Sequence, residues 1–282
     1  MRYVSYVRCG RPSFGVLVPG GVVDLSRQIP GTHSLKEAIA EDLLGEAARA
    51  VAGRSAELAL ADVTLLPVIP DPGKVLCVGV NYVAHREETQ RAAVGHPTIF
   101  TRFADTLVAD GAPVIKPRAS DNLDYEGELA LVIGRGGRDI AADAAWDHIA
   151  GYAPFMDGSV RDFQRHTGQF TPGKNFPGTG AFGPALVTPD EVGDVTALPI
   201  ETRLNGEVMQ SASLADLIFS IPDVIAYVSS FTPLEPGDVI ATGTPGGVGE
   251  RRDPPVWLRD GDVIEVAVGA VGTLRNPVLA QR

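Results

Sequence analysis

The sequence predicts a β-dominated α+β fold. Short apolar runs rich in Val, Ile and Leu recur between Gly- and Pro-containing turns along most of its 282 residues. Only one stretch, Leu214 to Phe231, has the length and spacing of a solid helix. The regular strand-helix-strand alternation of a parallel α/β protein is missing.

The elements follow in order. The opening MRYVSYVRCGRPSFGVLVPGGVVDLS alternates β-rich runs with Gly-rich turns, which predicts small antiparallel strands up to Ser26. From Ser34 the apolar residues Leu35, Ile39, Leu43 and Ala47 take a helical period, broken at Gly45 and Gly53, for one or two modest helices. Pro67, Pro70 and Pro72 then interrupt the pattern, and a boundary is expected near residue 70, between a small N-terminal domain (1–70) and a main domain (71–282). Strands are predicted near Val75 to Val80, Thr98 to Arg102, Glu126 to Ile133, Ile149 to Met156, Pro199 to Leu204, Asp238 to Thr242 and Asp262 to Val268. Pro222 marks a start or a kink inside the Leu214 to Phe231 helix. GDVI occurs at 237–240 and again at 261–264, too short a match to establish a repeat.

Composition narrows the function. A 44% hydrophobic content supports a proper core, and 24 basic against 35 acidic residues leave a net charge of −11, without the basic stripe that a phosphate backbone needs. Nucleic acid is excluded as a partner on that ground. Cys9 and Cys77 are too few for a disulfide framework or a thiolate metal site. No apolar run approaches 18 residues and none resembles a signal peptide, so the expectation is a soluble, cytoplasmic protein without a membrane partner.

The segment LDYEGELAL places Glu126 and Glu128 two positions apart on a strand, hence on one face with Cα atoms roughly 6.5 Å apart. An isolated Glu-x-Glu is ordinarily a solvated face. Here the same face continues as Ala130 and Val132, and the opposite face is Leu129, Leu131 and Ile133, so water has little access to either. Two half-buried acids need raised pKa values or a cation, and an oxygen-only donor set favours Mg²⁺, Mn²⁺ or Ca²⁺ over zinc. Asp157, at the end of another apolar run, is the candidate third carboxylate, although a turn or cap aspartate is its plainer reading.

Further candidates cluster around that core. A helix starting near Ser159, with Asp162 closing a capping box, would put Arg161 and Gln164 on one face able to bind an anion. Lys174 lies in the polar loop FTPGKNF, as surface decoration or as a contact to a substrate oxygen. In VGVNYVAHREE, His85 and Glu88 sit three apart, close enough on a helical turn for the carboxylate to fix the imidazole tautomer of a general base, or simply to form an exposed pair. ATGTPGGVGE looks superficially like a nucleotide-binding turn, but RRDPPVW follows where a helix would be needed.

Taken in chain order, NYVAHREE, YEGELALVIG, MDGSVRDFQ, TPGKNF and TGTPGGVG resemble the fumarylacetoacetate hydrolase family, particularly bacterial members acting on acylpyruvates, over about residues 70 to 275. The resemblance implies a mixed β-sandwich roll with a small N-terminal α+β domain, assembled as a homodimer. It implies Glu126, Glu128 and Asp157 as metal ligands for Mg²⁺ or Mn²⁺, His85 with Glu88 as the catalytic dyad, and Arg161, Gln164, Lys174 and Thr244 as substrate contacts. Two departures stand out. GVNYVA supplies no further metal carboxylate, and FTRF places Arg102 where relatives often have lysine, making Arg102 a second candidate carboxylate anchor.

The chemistry so implied is hydrolysis of a carbon-carbon bond in an acylpyruvate or related 2-oxo or 1,3-dicarbonyl acid. An enolate forms, His85 activates water, and Gln164 or Lys174 stabilises the oxyanion. The same site would equally serve decarboxylation, keto-enol isomerisation or hydration. A non-catalytic protein with a structural ion is the alternative from another class.

Overall fold

The structure, a computed structural model, describes residues 1–282. A 12-stranded mixed sheet dominates it. Along its main path the strands run Gly21–Asp24, Arg11–Val18, Arg2–Arg8, Leu186–Val187, Ile149–Met156, Gly127–Ile133, Val239–Ala241, Val75–Gly79 and Thr98–Arg102. A second sheet of five strands runs Glu207–Ser213, Pro199–Leu204, Val263–Val268, Gly272–Ala280 and Val114–Lys116. Most pairings are antiparallel, but Val239–Ala241 lies parallel to Val75–Gly79 and Val114–Lys116 parallel to Gly272–Ala280.

The central strand Gly127–Ile133 explains how the layers hold together. Its odd residues Leu129, Leu131 and Ile133 share a core with Ile200, Ile264, Val266 and Leu274 of the second sheet. Its even residues Ala130 and Val132 turn the other way, into a core with Val75, Cys77, Ala153 and Ala241. Each fully buried Val, Leu or Ile contributes about 1.5–3 kcal/mol to this packing. The strand has no water-facing side, so any acid on it depends on polar partners inside the protein.

The N-terminal strands form the expected antiparallel group, and Arg2–Arg8 pairs with Leu186–Val187 to continue the main sheet. Helices Leu35–Ala40 and Leu44–Val51 bring Leu35, Ile39, Ala47 and Val51 into the core that holds Ala130 and Val132. The break between them lies at Asp42, in the left-handed region (φ 55), while Gly45 sits inside the second helix. The predicted helix over Leu214 to Phe231 is shorter than the periodicity suggests: it is Ile221–Phe231, preceded by a separate 3-10 turn at Leu214–Asp216. Two capping boxes, Ser213 with Asp216 and Ser220 with Asp223, start two elements where the apolar pattern reads as one, and Pro222 falls in the first turn, where its missing N–H costs nothing. No helix of the chain is long and apolar enough to cross a membrane.

Gly127, between the two glutamates, packs directly against the second sheet. A Cβ there would stand 2.0 Å from Thr202 Oγ1 on the second sheet. Gly127→Ala is therefore expected to cost roughly 1–3 kcal/mol through overpacking, read as a lower melting temperature.

Candidate active site

The chain leaves the short strand Leu123–Asp124, passes Tyr125 and Glu126, and enters Gly127–Ile133, while Ile149–Met156 delivers Asp157 alongside. The Asp157 N–H donates to the Glu126 carbonyl at 2.8 Å, which locks the two acids in register. Glu126, Glu128 and Asp157 are 5%, 1% and 0% exposed, and one carboxylate oxygen from each lies within 4.8 Å of the others. Three acids in so dry a place need compensation, and they receive it unequally.

Lys174 Nζ donates to Glu126 Oε2 and to Asp157 Oδ2, both at 2.5 Å. Arg161 pairs with Glu126 Oε1 at 2.7 Å, and Arg102 with Asp157 Oδ1 at 2.5 Å. Burial works against ionising Glu126, but Arg161, Lys174 and His85 outweigh it and hold its carboxyl below the usual range. Glu128 receives only the backbone N–H of Gly243, at 2.8 Å on Oε2. Burial, followed by repulsion from Asp157 and Glu126, pushes its carboxyl well above the usual range. Lys174 goes the other way: burial favours losing its proton, yet Asp157 and Glu126 keep it charged.

This arrangement fits a hard divalent cation. The donors are all carboxylate oxygens within a few ångströms, and Glu128 is a buried acid that the protein itself leaves without a cationic partner. Glu126, Glu128 and Asp157 are the residues that would hold the ion.

Across the cleft, helix Val83–Glu88 carries His85, which is buried despite sitting on a short surface helix. Its Nδ1 lies 3.2 Å from Glu88 Oε2, so a proton on Nδ1 leaves the Nε2 lone pair free to accept another. Glu88 is itself held by the Gly247 N–H at 3.0 Å. Asn81, at the head of this segment, donates to the carbonyls of Thr242 and Phe219 and accepts from the Phe219 N–H, so the helix start is pinned from two sides. Val80 between strand and helix is left-handed (φ 58), a conformation that costs a β-branched residue roughly 1–3 kcal/mol.

Arg161 and Gln164 share the short helix Arg161–Gln164 and are bonded to each other at 2.9 Å, which leaves the Gln164 amide nitrogen as a donor. The predicted capping box is absent. Ser159 belongs to a strand and donates to the Asp157 carbonyl, and Asp162 accepts from Ser120 Oγ. Thr244 gives its hydroxyl proton to the Gly127 carbonyl and accepts from Gln210 Nε2. Together His85, Glu126, Glu128, Arg161, Gln164, Lys174 and Thr244 line one cleft.

The expectation that Arg102 anchors a substrate carboxylate is corrected by its surroundings. It does not line the cleft; all its nitrogens are spent on Thr106 Oγ1, Asp157 Oδ1, the Gly158 carbonyl and Thr179 Oγ1, so it braces Asp157 from behind. Lysine carries the charge but not the planar fork. Arg102→Lys is therefore expected to cost about 1–3 kcal/mol, the value of the stranded hydrogen bonds, measured by denaturant unfolding; an unchanged midpoint would refute the bracing role.

The sequence did not reveal Asp124, although it stands in the same LDYEGELAL segment. Fully buried, it accepts from Arg161 Nε at 2.8 Å and from the N–H groups of Tyr125, Gly249 and Glu250. The Gly-rich run ATGTPGGVGE thus gains a role that needs no nucleotide. Its backbone N–H groups at Gly243, Gly247 and Gly249 hold Glu128, Glu88 and Asp124.

Comparison with known proteins follows the same lines. The family model described as fumarylacetoacetate (FAA) hydrolase C-terminal matches residues 74–279. Over 265 residues the chain is 41% identical to the mitochondrial oxaloacetate tautomerase FAHD2A of Homo sapiens, covering 92% of this chain and 84% of that protein. Fumarylacetoacetate hydrolase from psychrophilic Exiguobacterium antarcticum superposes with a TM-score of 0.87 at 38% identity, covering 100% of both chains. Maleylpyruvate hydrolase from Sphingobium sp. SYK-6, solved in complex with manganese(II) ion and pyruvate, gives a TM-score of 0.83 at 29% identity, again over 100% of both.

Proposed function

The chain belongs to the fumarylacetoacetate hydrolase family, and from that premise we propose that it is a divalent-cation-dependent enzyme that interconverts the keto and enol forms of a 2-oxo acid of the oxaloacetate type. The observation that carries the reading is the juxtaposition, in one cleft, of the Glu126, Glu128 and Asp157 cluster with a buried imidazole whose Nδ1 faces Glu88. The sequence argues first for carbon-carbon hydrolysis. Relatives that share 41% identity and are named tautomerases move the preference to enolisation, the step the two reactions have in common.

A bound Mg²⁺ or Mn²⁺ would supply Lewis-acid polarisation of the 2-oxo and carboxylate oxygens of the substrate. The residues do the rest. His85 Nε2 takes a proton from the carbon next to the 2-oxo group, and Glu88 stabilises the imidazolium. The same imidazolium returns the proton to the enol oxygen, so one proton moves from carbon to oxygen and nothing is oxidised. Lys174 and the Gln164 amide supply positive charge and a hydrogen-bond donor to the developing oxyanion. Arg161 stays paired with Asp124 and Glu126 and orients Gln164. In this reading residues 71–282 form the catalytic domain, and residues 1–70 are an auxiliary domain.

Hydrolysis of an acylpyruvate is the second reading, favoured by the resemblance to maleylpyruvate hydrolase and by the ability of the same base to activate water. The test is a panel of enol-oxaloacetate and acylpyruvates with Mn²⁺, Mg²⁺ or chelator, followed by product analysis. Ketonisation of oxaloacetate that chelator abolishes and Mn²⁺ restores is the expected result. Release of pyruvate and a free acid from acylpyruvates, without tautomerisation, would replace the first reading by the second.

A further inference from the structure

The cleft is more cationic than its proposed head group requires. Arg91, Arg161, Arg165, Lys174 and Arg251 line it, against Glu126, Glu128 and Glu250. Most of these cations are already spent: Arg161 on Asp124 and Glu126, Lys174 on Glu126 and Asp157, Arg165 on Glu250. Arg91 and Arg251 have no carboxylate partner and make no side-chain hydrogen bond, although the chain as a whole carries a net charge of −11.

Arg91 is exposed, as is Arg251, but the fold positions Arg91 at the wall of the cleft. The helix bearing His85 ends in a Schellman arrangement: the Gln90 N–H donates to the Glu87 carbonyl and the Arg91 N–H to the Arg86 carbonyl, with Gln90 in the left-handed region at φ 54. A non-glycine residue there carries a conformational cost on the order of 1 kcal/mol, and the turn places Arg91 on the cleft wall. The Arg91 guanidinium then lies 5.0 Å from the centroid of Phe170, whose ring packs edge-on to Phe100 at 5.7 Å. Phe100 in turn lies beneath the Lys174 ammonium at 4.8 Å. An aromatic pair therefore separates the cation at the mouth from the cation at the acids. Partial burial, and then repulsion from Arg161, lowers the proton affinity of Arg91, with Arg165 and Arg251 adding to the repulsion and Glu126 opposing it. An anion at that point would offset the repulsion.

We propose that Arg91, assisted by Arg251, binds a second carboxylate of the substrate, so that the site selects 2-oxo dicarboxylic acids over 2-oxo monocarboxylic acids. This rests on the reading that the 2-oxo acid head binds at Glu126, Glu128 and Asp157. The guanidinium offers a planar fork to a carboxylate, and stacking on Phe170 lowers the ordering cost of closing on it. Arg91 is accordingly a specificity residue, remote from the carbon that exchanges its proton.

The test is calorimetric titration of the Mn²⁺-loaded full chain with pyruvate and 2-oxobutyrate, and with oxaloacetate and 2-oxoglutarate. The wild type is expected to bind the better of the two diacids at least about tenfold more tightly than the monoacids, as for one charge-assisted hydrogen-bonded contact. Arg91→Met should erase that preference while leaving the pyruvate Kd within about twofold, Arg91→Lys should restore part of it, and Arg251→Met should reduce it by a smaller factor. A preference that survives Arg91→Met, or a wild type that binds mono- and diacids alike, overturns the proposal and leaves the head-group site standing. A wild type that binds neither pyruvate nor the diacids in the presence of Mn²⁺ overturns the head-group reading, and the proposal with it.

Discussion

Replacing His85 by alanine is expected to lower turnover of a 2-oxo acid by about 10²- to 10⁴-fold, the usual contribution of a positioned general base, while Mn²⁺ binding stays within a few-fold of wild type. The separation follows from the geometry. His85 stands across the cleft from the carboxylates and takes no part in the Glu126, Glu128 and Asp157 cluster, so its loss removes the proton carrier and leaves the proposed ligands in place. Glu88→Gln should give an intermediate loss, because an amide can still meet the Gly247 N–H through its carbonyl oxygen but can no longer stabilise an imidazolium. Full activity in His85→Ala would remove the imidazole from the mechanism. Equal losses of activity and metal affinity would instead mean that the helix carrying His85 shapes the metal site.

Glu128→Gln should have effects of opposite sign on the two states of the protein. Without metal the variant is expected to be as stable as wild type or more so, since it replaces a buried carboxylate that has one backbone N–H and no cation by a neutral group of the same shape. With saturating Mn²⁺ the order should reverse. A ligand present at 100 times its Kd adds about 2.7 kcal/mol to the folded state, and this increment should disappear with the lost charge. The melting temperature with and without Mn²⁺, by calorimetry or dye binding, measures both. If Glu128→Gln still gains stability from Mn²⁺ as wild type does, Glu128 is not a ligand.

What could be read from the sequence divides along a physical line. The strands Gly127–Ile133 and Ile149–Met156 were legible because they are apolar on both faces, and that same burial made Glu126 and Glu128 conspicuous. His85 with Glu88 was legible because helical spacing places the two together without help from the rest of the chain. The bracing of Asp157 by Arg102 was not, because it joins residues 55 apart and depends on four acceptors converging from separate segments. Asp124 was missed for a related reason. Backbone N–H groups supply three of its hydrogen bonds, and a backbone donor leaves no side-chain signature in a sequence. The start of the Ile221–Phe231 helix was misjudged because two capping boxes interrupt an apolar period that runs on unchanged.

The glycine loop that holds Glu128, Glu88 and Asp124 spans sequence separations of 115, 159 and 125 residues. Closing such distances is slow relative to forming local turns, so these acids take their working positions only when the last third of the chain has docked. Until then Glu126 and Asp157 can be set by their own strand pairing, but Glu128, Glu88 and Asp124 lack the backbone donors that fix them. The same dependence means that a disturbance of this one loop would leave every reactive side chain chemically intact while loosening the hold on Glu128, Glu88 and Asp124 together.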